Sequence, residues 1–498
     1  MKSFLFFVTF FLCTPKSYSQ DSTLTKDELL RDYDIFIVGL KDGHGGMYYS
    51  INSSDFNFKA DSIRSTINVN TSNEAFYLKL RFLLTLLCHG HSRINLPNPK
   101  PINFKMAILD SNKLYLPIVI RIINENIYIQ EDCSVEQNIV QGTQIQAING
   151  HPIKQLISAM QKYMPAEGVN VSFKNYNLSN YYYFHFLYSL LFPSEKSFKI
   201  SFVGKVNTSI VCARKPNEIA ATYFEKNKKG ISDFTKPLQY KQLDANYAYI
   251  KVGSFYKGFI EYQGQKYQSF LDSTFSDIRL KGKKQVIIDL RDNEGGGDNY
   301  AEIFLSYLLP NGILIEGMNR IAGRNFTSKP YTINLSDDIK MIMDNPSEFL
   351  ENDTSLFLKD KYVKMMDNAG TILPSSKNQF KGDIYVLING GTFSASDIVV
   401  SGLYKNRKQT GRKIVFVGEE NGGDIFRNAS CSGQSYTLQL PNSKIIVDIP
   451  FLCKGILNSL YPPKRLPDIR ISDNIGYVIK GKDYLLHQVI KQMGKKTF

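Results

Sequence analysis

The sequence predicts an α/β protein. A β/α sheet core fills its second half, preceded by a helical N-terminal region and a small β-rich module. Three observations carry this. The stretches "QVIIDLRDNEGGGD" (285–298) and "DIYVLINGGTFSASD" (383–397) each run from a near-continuous apolar strand into a glycine-bearing turn and a helix, the pattern of strands covered on both faces. From about Leu114 to Phe202, short β-branched runs alternate with turn signals. From Thr25 to Gly90 the apolar period is helical, with capping residues in place.

The elements follow in order. Lys2 precedes "FLFFVTFFLC" and the small residues Ser17 and Ser19, the layout of a secretory signal peptide over residues 1–19. The apolar run is shorter than the ~20 residues of a membrane span, and Leu12 before Cys13 argues against a lipoprotein. The expected product is exported (periplasmic, cell envelope or secreted) with no integral membrane segment in the mature chain. Residues 20–110 read as a helical domain. Thr25 with Glu28, and Thr71 with Glu74, form capping-box patterns. The second helix, "AFYLKLRFLLTLLC", should be buried and end at Gly90. Residues 111–214 form the β-rich module, with a hairpin turn at Asn149-Gly150. The aromatic stretch Tyr181–Phe192 reads as a buried or groove-lining helix. Residues 215–498 form the α/β domain. It opens on a lysine-rich linker or surface segment (215–237), is interrupted by a lid or cover (about 311–380), and ends in two strands around Pro441-Asn442-Ser443. Cys431 and Cys453 lie at equal offsets from Asn442, which would oppose them across that hairpin and permit a disulfide.

Composition narrows the classes. Net charge is +14, but the basic residues are scattered, and a nucleic-acid partner would ask for a patch or arm. The cysteines beyond the leader are Cys88, Cys133, Cys212, Cys431 and Cys453. They form no CxxC or Cys/His cluster, so no metal and no cofactor is assigned.

Two strand-to-helix turns stand out because ligands bind at the carboxyl ends of parallel strands. Gly295, Gly296 and Gly297 allow close approach to backbone N–H groups, by a phosphate or by a reacting oxyanion. The phosphate reading, that of a nucleotide-binding α/β protein, lacks either glycine-loop signature, and Asp292, Glu294 and Asp298 would repel the anion. Ser394 sits at a helix start, either as an ordinary N-cap or as a nucleophile whose oxyanion the helix end stabilises. A nucleophile needs a base, and six histidines are available: His44, His89, His91, His151, His185 and His487.

"VIIDLRDNEGGG", "YVLINGGTFSASDIVV" and "VFVGEENGGD", in this order, resemble the C-terminal processing peptidase (tail-specific protease) family of serine peptidases. "GTQIQAINGHPI" resembles the core of its PDZ-like domain, and "LCHGHSRINLP" the N-terminal region of the tricorn-like branch. The resemblance implies a serine endopeptidase cleaving unfolded or extended polypeptides. In it Ser394 is the nucleophile and His91 the base, and the N–H groups of Ala395 and of Gly295 or Gly296 form the oxyanion hole. The lysine of the classical branch falls on Asp424 here, so a Ser-Lys dyad is unsupported. The acid that would orient the histidine is missing from its expected place near "YPPKRLPD", leaving Glu419 as a possible third member. An inactive relative that binds peptides through the same groove is the alternative. A polypeptide is the expected partner, and oligomeric state is not readable.

Overall fold

The computed structural model describes residues 24–493 apart from 49, 98–108, 193–194, 228–235, 311–317, 322, 324, 350–357, 360–361, 363–375, 409, 424–434 and 456–466. Its centre is a six-stranded sheet in the order Ile469–Arg470, Ile414–Gly418, Asp383–Ile388, Gln285–Asp289, Tyr247–Val252, Leu238–Gln242. Neighbouring strands are parallel except for the last pair, which is antiparallel. Side chains alternate across a strand, so each apolar run supplies two faces. Val286, Ile288, Ile384 and Val386 pack with Phe275, Phe304 and Val399 of the helices Tyr267–Leu280, Asp298–Ser306 and Ala395–Asn406. Ile287, Tyr385 and Leu387 face Leu485, Val489 and Met493 of the helix Tyr484–Met493. This is the expected α/β core. Parallel pairing brings the turns after Asp289, Ile388 and Gly418 to one edge.

A second sheet runs Ile118–Ile123, Asn126–Asp132, Gln144–Ile148, Ser197–Phe202, Ser209–Cys212, all antiparallel. The two-residue strand His151–Pro152 folds back on the third of these. Asn149 and Gly150 make that turn with φ 49° and 79°, the left-handed pair a tight hairpin requires. The helix Ile153–Gln161 follows, then Val171–Leu178 and Tyr181–Leu191. The last buries Phe184, His185, Phe186, Leu187 and Tyr188.

One apolar core joins this sheet to the helices Lys26–Gly43, Ser53–Ser65 and Asn73–Leu86 and to the hairpin of strands Ser435–Gln439 and Ile446–Pro450. Tyr436 donates its hydroxyl to the Gly39 carbonyl at 2.7 Å. The Asp32 carboxylate accepts the backbone N–H groups of Asn442 at 3.0 Å and Ser443 at 2.6 Å. Arg93–Asn95 adds as a strand to Ile446–Asp448. The N-terminal helices are thus seated on a hairpin more than 390 residues later in the chain.

Several local expectations change. The Thr25/Glu28 capping box forms. The second predicted box does not: Ser72, adjacent to the first helical residue, caps instead, and Glu74 pairs with Lys113. Pro216–Asn227 is a helix, not a linker; proline at the first helical position is pre-organised for it. Within the span read as a lid, Thr332–Asn334 pairs with Ser435–Gln439, and Asp337–Asp344 buries Ile339 and Ile342 in the core. The final hairpin pairs Ser435 with Pro450 and Gln439 with Ile446. Its centre therefore falls between Asn442 and Ser443, and the equal-offset premise for Cys431 and Cys453 is displaced by one residue. Cys431, the Cys453 side chain, the segment 1–19 and Asp424 lie outside the described residues. Among the described residues no helix is long and apolar enough to cross a membrane.

Candidate active site

The two glycine-bearing turns are stitched to each other. Asn293 donates its side-chain amide to the Val252 carbonyl at 2.8 Å. Its own carbonyl accepts the Phe393 N–H at 3.1 Å and the Ser396 hydroxyl at 2.8 Å. Asn389 accepts the Asp292 and Gly391 N–H groups, and Thr392 donates to the Leu290 carbonyl. Ser396 is fully buried by this bonding, and Ser394 projects elsewhere.

Ser394 occupies the N-cap position of Ala395–Asn406 but makes no side-chain capping bond. Its backbone lies at φ 59° and ψ −121°, a region that costs a residue other than glycine of order 1–3 kcal/mol and is concentrated at functional sites. The ordinary capping role is therefore not the one the side chain performs. Its Oγ is 3.0 Å from Nε2 of His91. His91 stacks on Phe393, with ring centroids 4.5 Å apart.

His91 reaches this place because the buried helix Asn73–Leu86 stops beside it. Cys88 takes a positive φ of 52°, the chain turns, and Arg93–Asn95 is held in the sheet. The other ring nitrogen, Nδ1, is 3.4 Å from Oε1 of Glu167. Glu167 lies between the helices Ile153–Gln161 and Val171–Leu178. Its segment is docked on the histidine turn: Gly168 donates to the Cys88 carbonyl at 3.0 Å, and Gly90 donates to Glu167 Oε1 at 3.1 Å. Burial pushes the His91 imidazole down to about 4, assisted by the charge of Arg93 and opposed by that of Asp298. Burial, which disfavours the charged imidazolium, is the larger effect.

The backbone donors divide. The Gly295 N–H is taken by its neighbour Asn293 Oδ1 at 3.0 Å. Gly296 forms a parallel bridge with Phe255 through the Gly295 carbonyl and the Gly297 N–H, so its own N–H points away from that strand. Ala395 opens the helix, where N–H groups have no intrahelical acceptor. Gly295 and Gly296 have φ of 101° and 143°. A Cβ on Gly295 would stand 2.7 Å from Ser394 Cβ and 2.8 Å from the Ala395 nitrogen.

Glu419 is elsewhere. It shares a charged cleft with Arg121, Tyr176, Arg291 and Asp473. Burial, then the nearby Asp473 charge, raises its carboxyl above the usual range. Glu167 was missed by sequence reasoning, yet a signal existed: it is the one acid between Gln137 and Ser194, in the apolar turn "YMPAEGV", and it is buried to 3% exposure. The fold also gathers a possible donor set for a metal, His89, His91 and Glu167, with atoms within 4.8 Å of one another. The sequence reading assigned no metal because the cysteines form no CxxC or Cys/His cluster; this set contains no cysteine, and its glutamate is 76 residues from His91.

By class this is a serine-type hydrolase on an α/β scaffold. Residues 246–445 match the model described as Peptidase family S41. That segment is an S41 peptidase domain, and the chain is a serine-type peptidase. No curated protein matches it at the level of sequence. Its fold is similar to that of CPAF. A CPAF point mutant superposes with a TM-score of 0.63 at 12% identity, over 95% of this chain and 98% of that one. Mature CPAF complexed with lactacystin gives 0.61 at 12% identity, over 94% and 98%. At such identity the likeness establishes the fold.

Proposed function

We propose that the protein is an exported endopeptidase in which Ser394 attacks the scissile carbonyl of an extended polypeptide. His91 Nε2 takes the hydroxyl proton and then gives it to the leaving amine. Glu167 replaces Glu419 as the third member. Its carboxylate faces Nδ1, favours the tautomer whose Nε2 lone pair is open to the serine, and stabilises the imidazolium that forms. The Ala395 and Gly296 N–H groups receive the oxyanion, while Gly295 supplies the close approach. The lowered pKa leaves His91 neutral at pH 7 and able to accept the proton. The module at 111–214 is read as PDZ-like and would accept the substrate by strand addition. Export rests on the residues 1–19.

The observation that carries the proposal is the strained, uncapped Ser394 held 3.0 Å from His91. The test is turnover of an unfolded polypeptide together with covalent labelling by a fluorophosphonate. Ser394→Ala should abolish both and leave the melting temperature nearly unchanged. Wild-type turnover in Ser394→Ala would remove the assignment. Peptide binding with neither turnover nor labelling in the wild type would identify an inactive relative.

A further inference from the structure

We propose that His89, His91 and Glu167 form an inhibitory zinc site beside the nucleophile. The inhibitory part rests on His91 being the base. His89 has no part in the peptidase chemistry above, yet it is fully buried against it. Its Nδ1 lies 3.6 Å from Glu167 Oε1, and His91 Nδ1 lies 3.4 Å from the same oxygen. Both separations are long for N–H···O hydrogen bonds, which centre near 2.9–3.0 Å. They match the edge of a coordination tetrahedron, which is about 3.4 Å for metal–ligand bonds of 2.0–2.1 Å.

The donor chemistry selects the ion. Two imidazoles and one carboxylate are the ligand types of open zinc sites with a water in the fourth position. Calcium and magnesium ask for oxygen-rich shells instead. The set is also held in place. Gly90 N–H fixes Oε1 at 3.1 Å, and the His44 ring packs edge-on against His89 at 5.1 Å between centroids. Access is from the His91 side, whose side chain is 13% exposed against 1% for each of the other two.

The consequence follows from the tautomers of a neutral imidazole, which carries one N–H. Zinc on Nδ1 uses that lone pair and leaves the proton on Nε2. Nε2 then donates to Ser394 Oγ and cannot accept the serine's proton. The ion also draws Glu167 away from its orienting role. Bound zinc therefore switches the base off without covering the serine.

The experiment titrates the full chain with zinc chloride, reading bound metal by calorimetry and turnover in parallel. One zinc per chain is expected, with loss of turnover at the same midpoint and recovery on adding a chelator. Cobalt(II) in place of zinc should give the intense visible absorption of a tetrahedral site. His89→Gln should weaken zinc binding at least about tenfold, and Ser394→Ala should bind zinc as the wild type does. The proposal is overturned if the wild type binds no zinc, if zinc binds without inhibiting, or if a natively melting His89→Gln binds it equally well. Where His89→Gln does not melt cooperatively, the cobalt spectrum of the wild type decides: a tetrahedral band supports the site and its absence removes it. The two readings fail separately. Turnover surviving in Ser394→Ala removes the nucleophile assignment, whereas zinc binding by that variant tests the site alone.

Discussion

Replacing Glu167 by glutamine keeps the size of the side chain and removes its charge from a point that faces three nitrogens. Oε1 stands 3.1 Å from the Gly90 nitrogen, 3.4 Å from His91 Nδ1 and 3.6 Å from His89 Nδ1. A glutamine that turns its oxygen inward keeps the Gly90 bond but gives His91 only a neutral acceptor, roughly half as strong as a charged one. Turned the other way, its NH2 donates to Nδ1 and drives the ring proton to Nε2, where the base is lost. The analogous change in a well-aligned serine protease triad costs about 10⁴ in kcat. The contact here is longer and its share correspondingly smaller, so we expect kcat to fall about 10²–10³-fold, or about 2.7–4 kcal/mol of transition-state stabilisation. KM should change little, because the carboxylate does not reach the substrate. Steady-state kinetics on an unfolded polypeptide measure both, and a thermal melt checks that Gly90 is still held. Glu419→Gln, in the separate charged cleft, is the control and should lose far less. Wild-type kcat in Glu167→Gln, or a larger loss in Glu419→Gln, would refute the assignment of the acid.

Three further outcomes follow from the same geometry. The acid limb of kcat/KM should fall about tenfold per pH unit below a midpoint under 6.5, since burial lowers His91 to about 4; a midpoint at or above 7 in a pH–rate profile would contradict that. Stability should also fall on acidification: His44, held well below its ordinary value by burial, and His91 are neutral when folded but protonate once unfolded. Each then withdraws about 1.4 kcal/mol per pH unit as pH drops below about 6.5, for His91 until its folded value is reached. Urea midpoints at pH 7.5 and 5 test this, and equal midpoints would exclude it. Gly295→Ala should abolish turnover and lower the melting temperature, because its Cβ would press on Ser394 Cβ at 2.7 Å and the Phe393 carbonyl at 2.9 Å; an active, stable Gly295→Ala would show that the close approach is not needed.

Legibility in the sequence tracked the range of the interaction. The strands Gln285–Asp289 and Asp383–Ile388 were readable because burial on both faces leaves an unbroken apolar run. Asn149-Gly150 was readable because a two-residue hairpin demands left-handed residues within the turn itself. Ser394 and His91 were reached through motif resemblance; nothing local in "CHGHS" says which histidine faces the serine. Glu167 was not reached because its partners are supplied by a turn 76 residues away, brought near by helix docking that no periodicity encodes. The one-residue errors at Ser72 and in the 435–450 hairpin have a common cause. Neighbouring residues can satisfy the same pattern, and packing against the rest of the molecule chooses between them.

The site is consequently a product of assembly. His91 and Ser394 are 303 residues apart, and each of the three proposed members comes from a different part of the chain. The strand that begins two residues after His91 is fixed by pairing with Ile446–Asp448 and by the Tyr77 hydroxyl, which donates to the Ile94 carbonyl at 3.0 Å. The Glu167 turn is anchored twice: on the histidine side by Gly168 and Gly90, and on the serine side by Asn170, whose amide donates to the Asn421 carbonyl at 2.7 Å. Asn421 in turn donates to Asp397, three residues beyond Ser394, at 2.6 Å. These bonds close a loop from base to acid to nucleophile helix. The strain at Ser394 is sustained by that loop and by the Asn293 bonds to Phe393 and Ser396. Loosening any one of these contacts would let the serine relax toward an ordinary N-cap, so peptidase activity should be lost in steps of partial undocking well before the sheet itself unfolds.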